Sequence, residues 1–354
     1  MEQIIKQVIG IDCSKDTLDC CFGILNMDLD QKIGSSVRFT NDKTGIDKLI
    51  GWSNKQARLG VGICFVVEAT GVYHELLAYT LADLGYAISI VLPNKISSFF
   101  RTTTIKTITD PIAAKLITQF GLEKKLQPWS KPKQIYVHIK QLTREREQLI
   151  EQRTVTKNQL HAEQSQAIIL SNSVKRMKKL IAVFDKQISE TETELKAALK
   201  MDAELNSRIA NLVTIPGVAL ITAATIVGET SGFDLIQSKK QLVSYAGLDV
   251  IEKQSGTSIN AKKRISRKGN RRLRKCLYFP ALTAIRHNEQ YKNHFAQLVS
   301  KHGIKMKAVV SVQRKLLVLV YSLWKTNMPF DPNHRKESGQ QLLATPTELA
   351  QGRS

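Results

Sequence analysis

The chain has 354 residues, with 52 lysines and arginines against 31 aspartates and glutamates and a formal net charge of +21 at pH 7. That length allows two or three domains with substantial cores, and so lopsided a charge excludes an ordinary cytosolic enzyme and calls for a polyanionic partner. Nucleic acid fits better than a membrane: no apolar run approaches the roughly 20 residues of a spanning helix, and MEQIIKQVIGID runs directly into a strand without a leader pattern.

Residues 4–24 read as strand, turn, strand, with Val8, Ile9 and Ile11 as a β-branched run, Ser14-Lys15-Asp16 as the break, and Leu18 to Phe22 resuming it. Val61 to Val67 is a second buried strand, terminated by Glu68. The segment HELLAYTLADL (74–84) has helical periodicity, Gly85 suits its C-terminal stop, and Tyr86 to Leu92 is a further strand closed by Pro93. Strands alternating with helices predict an α/β domain with a partly parallel sheet over residues 1–132, ending at Pro128-Trp129-Ser130-Lys131-Pro132.

Beyond it, Ile139, Leu142, Arg146, Leu149, Arg153, Thr156 and Leu160 keep alternating spacings of three and four. Val174, Met177, Ile181, Phe184, Ile188, Thr191 and Leu195 repeat the pattern, which predicts an antiparallel α-helical coiled-coil hairpin over residues 133–205. Such a seam either packs within one chain or joins two. From 206 to 330 the chain reads as compact and mainly helical, and IPGVALITAATIVGE (215–229) is either a helix-hairpin-helix whose turn amides grip a phosphate or a plain helical turn. Residues 331–354 form a polar tail. The five cysteines (Cys13, Cys20, Cys21, Cys64 and Cys276) are odd in number and lack CxxC spacing, so they read as reduced thiols of a cytoplasmic protein and not as a zinc site.

The chemistry concentrates in two places. Asp12 and Glu68 stand at strand ends and Asp110 opens a helix before Pro111. Carboxylates so ordered are what a ribonuclease-H-like fold uses to hold two divalent metals about 4 Å apart against a phosphodiester, and all-oxygen donors suit Mg²⁺. Taken singly, Asp12 reads as a turn cap, Glu68 as a solvated strand end, and Asp110 as a helix cap. Far downstream, Ser255 precedes Gly256 and then Lys262, Lys263, Arg264, Arg267, Lys268, Arg271, Arg272, Arg274 and Lys275, with no acid among them. That run would neutralise several phosphates, with Arg271, Arg274 and Tyr278 at helical spacing to track one backbone. A serine beside it is either an activated nucleophile or an ordinary turn residue before a solvated basic helix.

The ordered motifs GIDCSKDTLD, VVEATGVYH, TDPIAAKLI, LVTIPGVALITAATIVGE, LVSYAGLD and QSGTSINAKKRISRKGNRRLRKCLYFPALTA resemble the transposases of the IS110 insertion-sequence family, relatives of Piv-type DNA invertases, over roughly residues 4–330. The resemblance implies a RuvC-like α/β N-terminal domain with an acidic tetrad, a coiled coil, and a C-terminal transposase domain bearing a serine nucleophile. It also implies a structured bridge RNA that pairs with target and donor DNA, a dimer or tetramer, and a bacterial, nucleoid-associated protein. Asp12, Glu68 and Asp110 match three tetrad members, as Mg²⁺ ligands, and Ser255 matches the nucleophile.

The fourth acidic position, three residues after Asp110, is Ala113. Alanine cannot ligate a metal, so the motif implies an impaired enzyme, either a naturally inactive copy or an engineered substitution; the intact remainder of the motif favours engineering. The leading expectation is an RNA-guided recombinase acting through a metal-assisted phosphoserine. The alternatives are a RuvC-like structure-selective endonuclease without a covalent intermediate and a non-catalytic RNA/DNA-binding scaffold.

Overall fold

The computed structural model describes residues 3–332 apart from 59, 70, 235, 253, 256–258 and 261–263, with the backbone alone at 254, 255, 259 and 260. The chain divides into two compact units, Met1–Lys131 and Pro132–Ser354. None of the described helices is long and apolar enough to cross a membrane.

The first unit begins with a meander of three ten-residue strands, β1 (Ile4–Cys13), β2 (Thr17–Asn26) and β3 (Gln31–Thr40). Helix α1 (Lys43–Gln56) follows, then β4 (Ile63–Glu68), α2 (Glu75–Asp83), β5 (Ala87–Val91), α3 (Pro93–Phe100) and α4 (Asp110–Glu123). The five strands form one sheet in the order β3-β2-β1-β4-β5. β1 runs antiparallel to β2 and parallel to β4, and β5 runs parallel to β4. This is the partly parallel α/β sheet expected from the sequence.

β1 is central and covered on both faces, which explains its nearly unbroken apolar run. Ile9 and Ile11 pack with Phe65, Val67, Ile46, Leu49, Leu77 and Leu81 in one core. On the opposite face Val8 and Val66 meet Ile96, Ile117 and Phe120 in another. Glycine lets α4 lie directly on that second face. A Cβ at Gly10 would stand 2.2 Å from the Thr118 amide nitrogen, and one at Gly121 would stand 2.7 Å from a Val8 methyl. Thr118 Oγ1 takes the Gly10 N–H at 3.1 Å and lies 2.8 Å from the Cys21 carbonyl, pinning the helix across β1 and β2. The Pro-rich stretch at 128–132 is seated on this unit: the Trp129 N–H donates to the Ile88 carbonyl at 2.7 Å, and its ring meets Tyr79 edge-on at 5.4 Å.

The second unit opens with two 31-residue helices, α5 (Gln134–Gln164) and α6 (Ser171–Met201). They lie antiparallel, since Arg146 pairs with Glu192 and Arg153 with Asp185, each at 2.6 Å. Both seam arginines thereby gain a carboxylate across the hairpin, which answers the charge they place between the helices. The unit continues with α7 (Ala203–Val213), α8 (Leu220–Glu229), α9 (Lys239–Tyr245), and the short strands β6 (Val250–Ile251), β7 (Gln254–Ser255), β8 (Ile259–Asn260) and β9 (Arg264–Ile265). It closes with α10 (Arg271–Cys276), α11 (Tyr278–His287), α12 (Glu289–His302) and α13 (Lys305–Thr326). Its core gathers Leu212, Ile226, Phe233, Leu273, and Leu316 with Trp324 of α13, from five separate stretches. Between α7 and α8, Gly217 turns at φ +89° and packs so tightly on α11 that a Cβ there would come within 2.7 Å of the Pro280 carbonyl.

Candidate active site

Strand register assembles the acidic site. Asp12 on β1 is the cross-strand partner of Asp19 on β2, and Asp19 is the partner of Arg38 on β3. In the parallel ladder Ile11 is level with Val67, which places Asp12 beside Glu68, and Glu68 is level with Val91. Partners across a ladder project to the same face, so Arg38, Asp19, Asp12 and Glu68 form one row at the sheet end. It is the face that α4 covers, and α4 begins there with Asp110.

The electrostatics agree with that convergence. Asp12 is pushed up to about 6, first by burial and then by the negative charges of Asp110, Glu68 and Asp19. Asp110 is exposed in the first turn of α4, and Arg38 Nη2 reaches its Oδ2 at 3.3 Å. The same guanidinium grips the buried Asp19, with Nε 3.1 and 3.0 Å from its two oxygens. Ala113 is buried one turn along from Asp110, beside Ala114, Ile117 and Thr118 on the sheet-facing side of the helix.

The donor set suits a hard divalent cation, because it is oxygen-only and carries mutual repulsion that a cation relieves. Among the described residues, no group of three or more His, Cys, Asp or Glu side chains is already drawn together as a cage. Asp19 and Arg38 escaped the sequence reading. Asp19 had a signal, since it mirrors Asp12 across the Ser14-Lys15-Asp16 turn; Arg38 had none, because β3 is a polar edge strand.

Ser255 belongs to the other unit. Val250↔Ile265 and Ile251↔Arg264 pair in one two-stranded sheet, and Gln254↔Asn260 and Ser255↔Ile259 pair in a second, with the register shifted by one residue between them. The serine therefore sits on the outermost described rung of an antiparallel arm. Gly256, Ser258, Lys262 and Lys263 lie outside the described residues.

The base of the arm is built tightly. A Cβ at Gly269 would lie 2.4 Å from the Tyr245 carbonyl, and Gly247, at φ +67°, has Arg274 Nη1 where its Cβ would be. Arg274 donates to the Ala246 carbonyl at 2.7 Å, and Asn270 caps α10 through the amides of Arg272 and Leu273. Beneath them Glu229, 3% exposed, receives Arg144 at 2.6 and 2.9 Å and Asn270 Nδ2 at 2.7 Å. Burial pushes Glu229 up, but the bonds from Arg144 and Asn270 outweigh it and hold the carboxyl below its ordinary value.

Of the basic run, Arg264, Arg267, Lys268, Arg271 and Lys275 face solvent. Arg272 pairs with Glu147 at 2.9 Å, and Lys275 with Glu147 and Glu151 at 2.7 and 2.5 Å. Arg272 and Arg274 thus have partners inside the protein. The Glu229 hub was invisible in sequence because its members are separated by 85 and 41 positions.

Two family models bracket these two places. A model described as a transposase matches residues 9–168, and one described as the transposase IS116/IS110/IS902 family matches residues 209–296. The chain belongs to the IS110 family of transposases. It is 29% identical over 331 residues to the pilin gene-inverting proteins of Moraxella lacunata and Moraxella bovis, covering 92% of this chain and 98% of each relative. Among solved structures it is similar to the Thermus thermophilus RuvC structure, at 10% identity and a TM-score of 0.26, over 35% of this chain and 99% of that one. The acidic row lies in the segment matched by the first model, and Ser255 in that matched by the second. The protein is a DNA transposase/recombinase of this family, and DNA is its substrate.

Proposed function

We propose that this transposase exchanges DNA strands through a covalent phosphoserine at Ser255, using an acidic site formed by Asp12, Glu68 and Asp110. The observation that carries the reading is the strand register that sets Asp12 beside Glu68 at the sheet end where α4 begins with Asp110. Those residues would hold a divalent cation, Mg²⁺ by donor type. When bound, such an ion would polarise the scissile phosphodiester and offset the charge that develops on it.

The chain's own residues account for the rest. The Ser255 hydroxyl forms an O–P bond as one strand's P–O bond breaks; the serine gives up its proton and the departing strand oxygen gains one. A hydroxyl of the partner strand then reverses the step, so the phosphodiester energy is kept throughout. The exposed cations Arg264, Arg267, Lys268 and Arg271 at the foot of the arm bind backbone phosphates. The acidic row belongs to the first unit and the serine to the second, and the protein acts as a homo-oligomer. Target and donor choice belongs to a structured bridge RNA, since base pairing reads sequence where a cationic surface cannot.

Ala113 impairs the enzyme by removing one carboxylate donor from the row. Strand exchange measured with Mg²⁺ and co-purified RNA should be absent or slight in the parent and should recover in Ala113→Asp. Full activity of the parent would remove position 113 from the metal site, and sequencing of the co-purified RNA checks the guide.

A further inference from the structure

The motif CLYFPALTA follows the basic run, and the serine chemistry makes no use of its aromatic pair. α10 ends at Cys276, and α11 starts at Tyr278 with only Leu277 between them, itself in the right-handed helical region at φ −85°, ψ −7°. The helical phase carries through the junction. Leu273, Leu277, Pro280, Ala281 and Ala284 are buried. At about 100° per residue these five fall on one side, and Arg271, Lys275, Phe279, Leu282 and Arg286 fall within about 80° of one another on the other. All five of the latter are exposed.

Phe279 is the anomaly in that stripe, with 73% of its surface open to solvent. Tyr278 lies edge-on to its ring, with centroids 5.4 Å apart. Lys275 is engaged by Glu147 and Glu151. Arg271 and Arg286 form no ion pair with any described residue, one about two turns before the phenylalanine and the other two turns after it. An exposed aromatic face between guanidiniums that pair with no described carboxylate, on a chain of charge +21, is complementary to a base with a phosphate on each side.

We propose that Phe279, flanked by Arg271 and Arg286, is a stacking platform for an unpaired nucleotide of single-stranded nucleic acid. Stacking needs a base swung out of a duplex, so the platform separates single strands from paired ones; phosphate contacts alone do not. The reading stands independently of Ser255 and of the acidic row.

The test uses the full chain, freed of co-purified nucleic acid, and fluorescence anisotropy with labelled single strands and duplexes of equal length, each as DNA and as RNA. Phe279→Ala should weaken single-strand binding about five- to a hundred-fold, leave duplex binding within about two-fold, and leave the salt slope unchanged. Phe279→Trp should retain affinity, and its added indole fluorescence should be quenched by single strands and not by duplex. Comparing DNA with RNA shows which strand uses the platform. Equal losses for single strands and duplex, or no loss for either, overturn the proposal. A drop in oligomeric mass in Phe279→Ala with unchanged single-strand affinity also overturns it, by assigning the ring to a protein interface.

Discussion

Asp12→Asn should stabilise the protein at alkaline pH and leave it unchanged in acid. In the parent, burial and then Asp110, Glu68 and Asp19 raise Asp12 from 3.8 to about 6. A carboxyl whose folded pKa lies above its unfolded one favours folding fully below about 4, and loses that advantage as pH rises through about 6. The rise corresponds to about 3 kcal/mol at about 1.36 kcal/mol per pH unit. Asp12 is only half-buried, and screening by solvent leaves about 1–2 kcal/mol of it. Asparagine keeps the shape and removes the charge. In EDTA at pH 8, Asp12→Asn should therefore melt several degrees above the parent, and the two should coincide at pH 4. Mg²⁺ added at pH 8 should raise the parent more than the variant. A gap of equal size at both pH values would refute the reasoning, because crowded carboxylates repel one another only when ionised.

Three other perturbations probe the frame around the two places. Arg144→Met strands the buried Glu229 carboxylate and should cost about 3–5 kcal/mol in denaturant unfolding. The sign of its pH dependence should also invert. In the parent, Glu229 supports folding above its ordinary 4.5 and loses that support as pH falls through its lowered value; in the variant burial prevails, and stability falls as pH rises. Gly10→Ala drives a Cβ into the Thr118 amide at 2.2 Å and should unfold the first unit in proteolysis, whereas Gly51→Ala, with no atom within 4 Å, should not. Replacing Arg264, Arg267, Lys268 and Arg271 by glutamine should weaken duplex binding alike across sequences and lower its salt slope by up to about 3.6 units, at about 0.9 per phosphate contact; an unchanged slope would turn that face away from DNA.

The parts of the fold legible in the sequence were those where burial and period coincide. β1, β2, β4 and β5 announced themselves because a sheet covered on both faces needs continuous apolar strands. β3 did not, since Gln31–Thr40 is an edge with half its side chains in water. Asp12, Glu68 and Asp110 stood out in the sequence because they punctuate apolar elements. Asp19 lies inside one, and its role depends on a register that composition does not encode. The basic run was legible as charge, yet its division into exposed cations and cations spent on Glu147, Ala246 and Gly269 depends on what packs against it. The serine's place on a β-arm was hidden because strands of two residues carry no period.

On the proposed mechanism Ser255 carries the DNA between cutting and joining. In an Ala113→Asp background, with Mg²⁺, bridge RNA and labelled donor and target DNA, denaturing gels should resolve a protein–DNA adduct. Ser255→Ala should abolish it, and Ser258→Ala should not. An adduct that persists in Ser255→Ala would contradict the assignment, and cleavage without an adduct in any variant would make the protein a water-using nuclease instead.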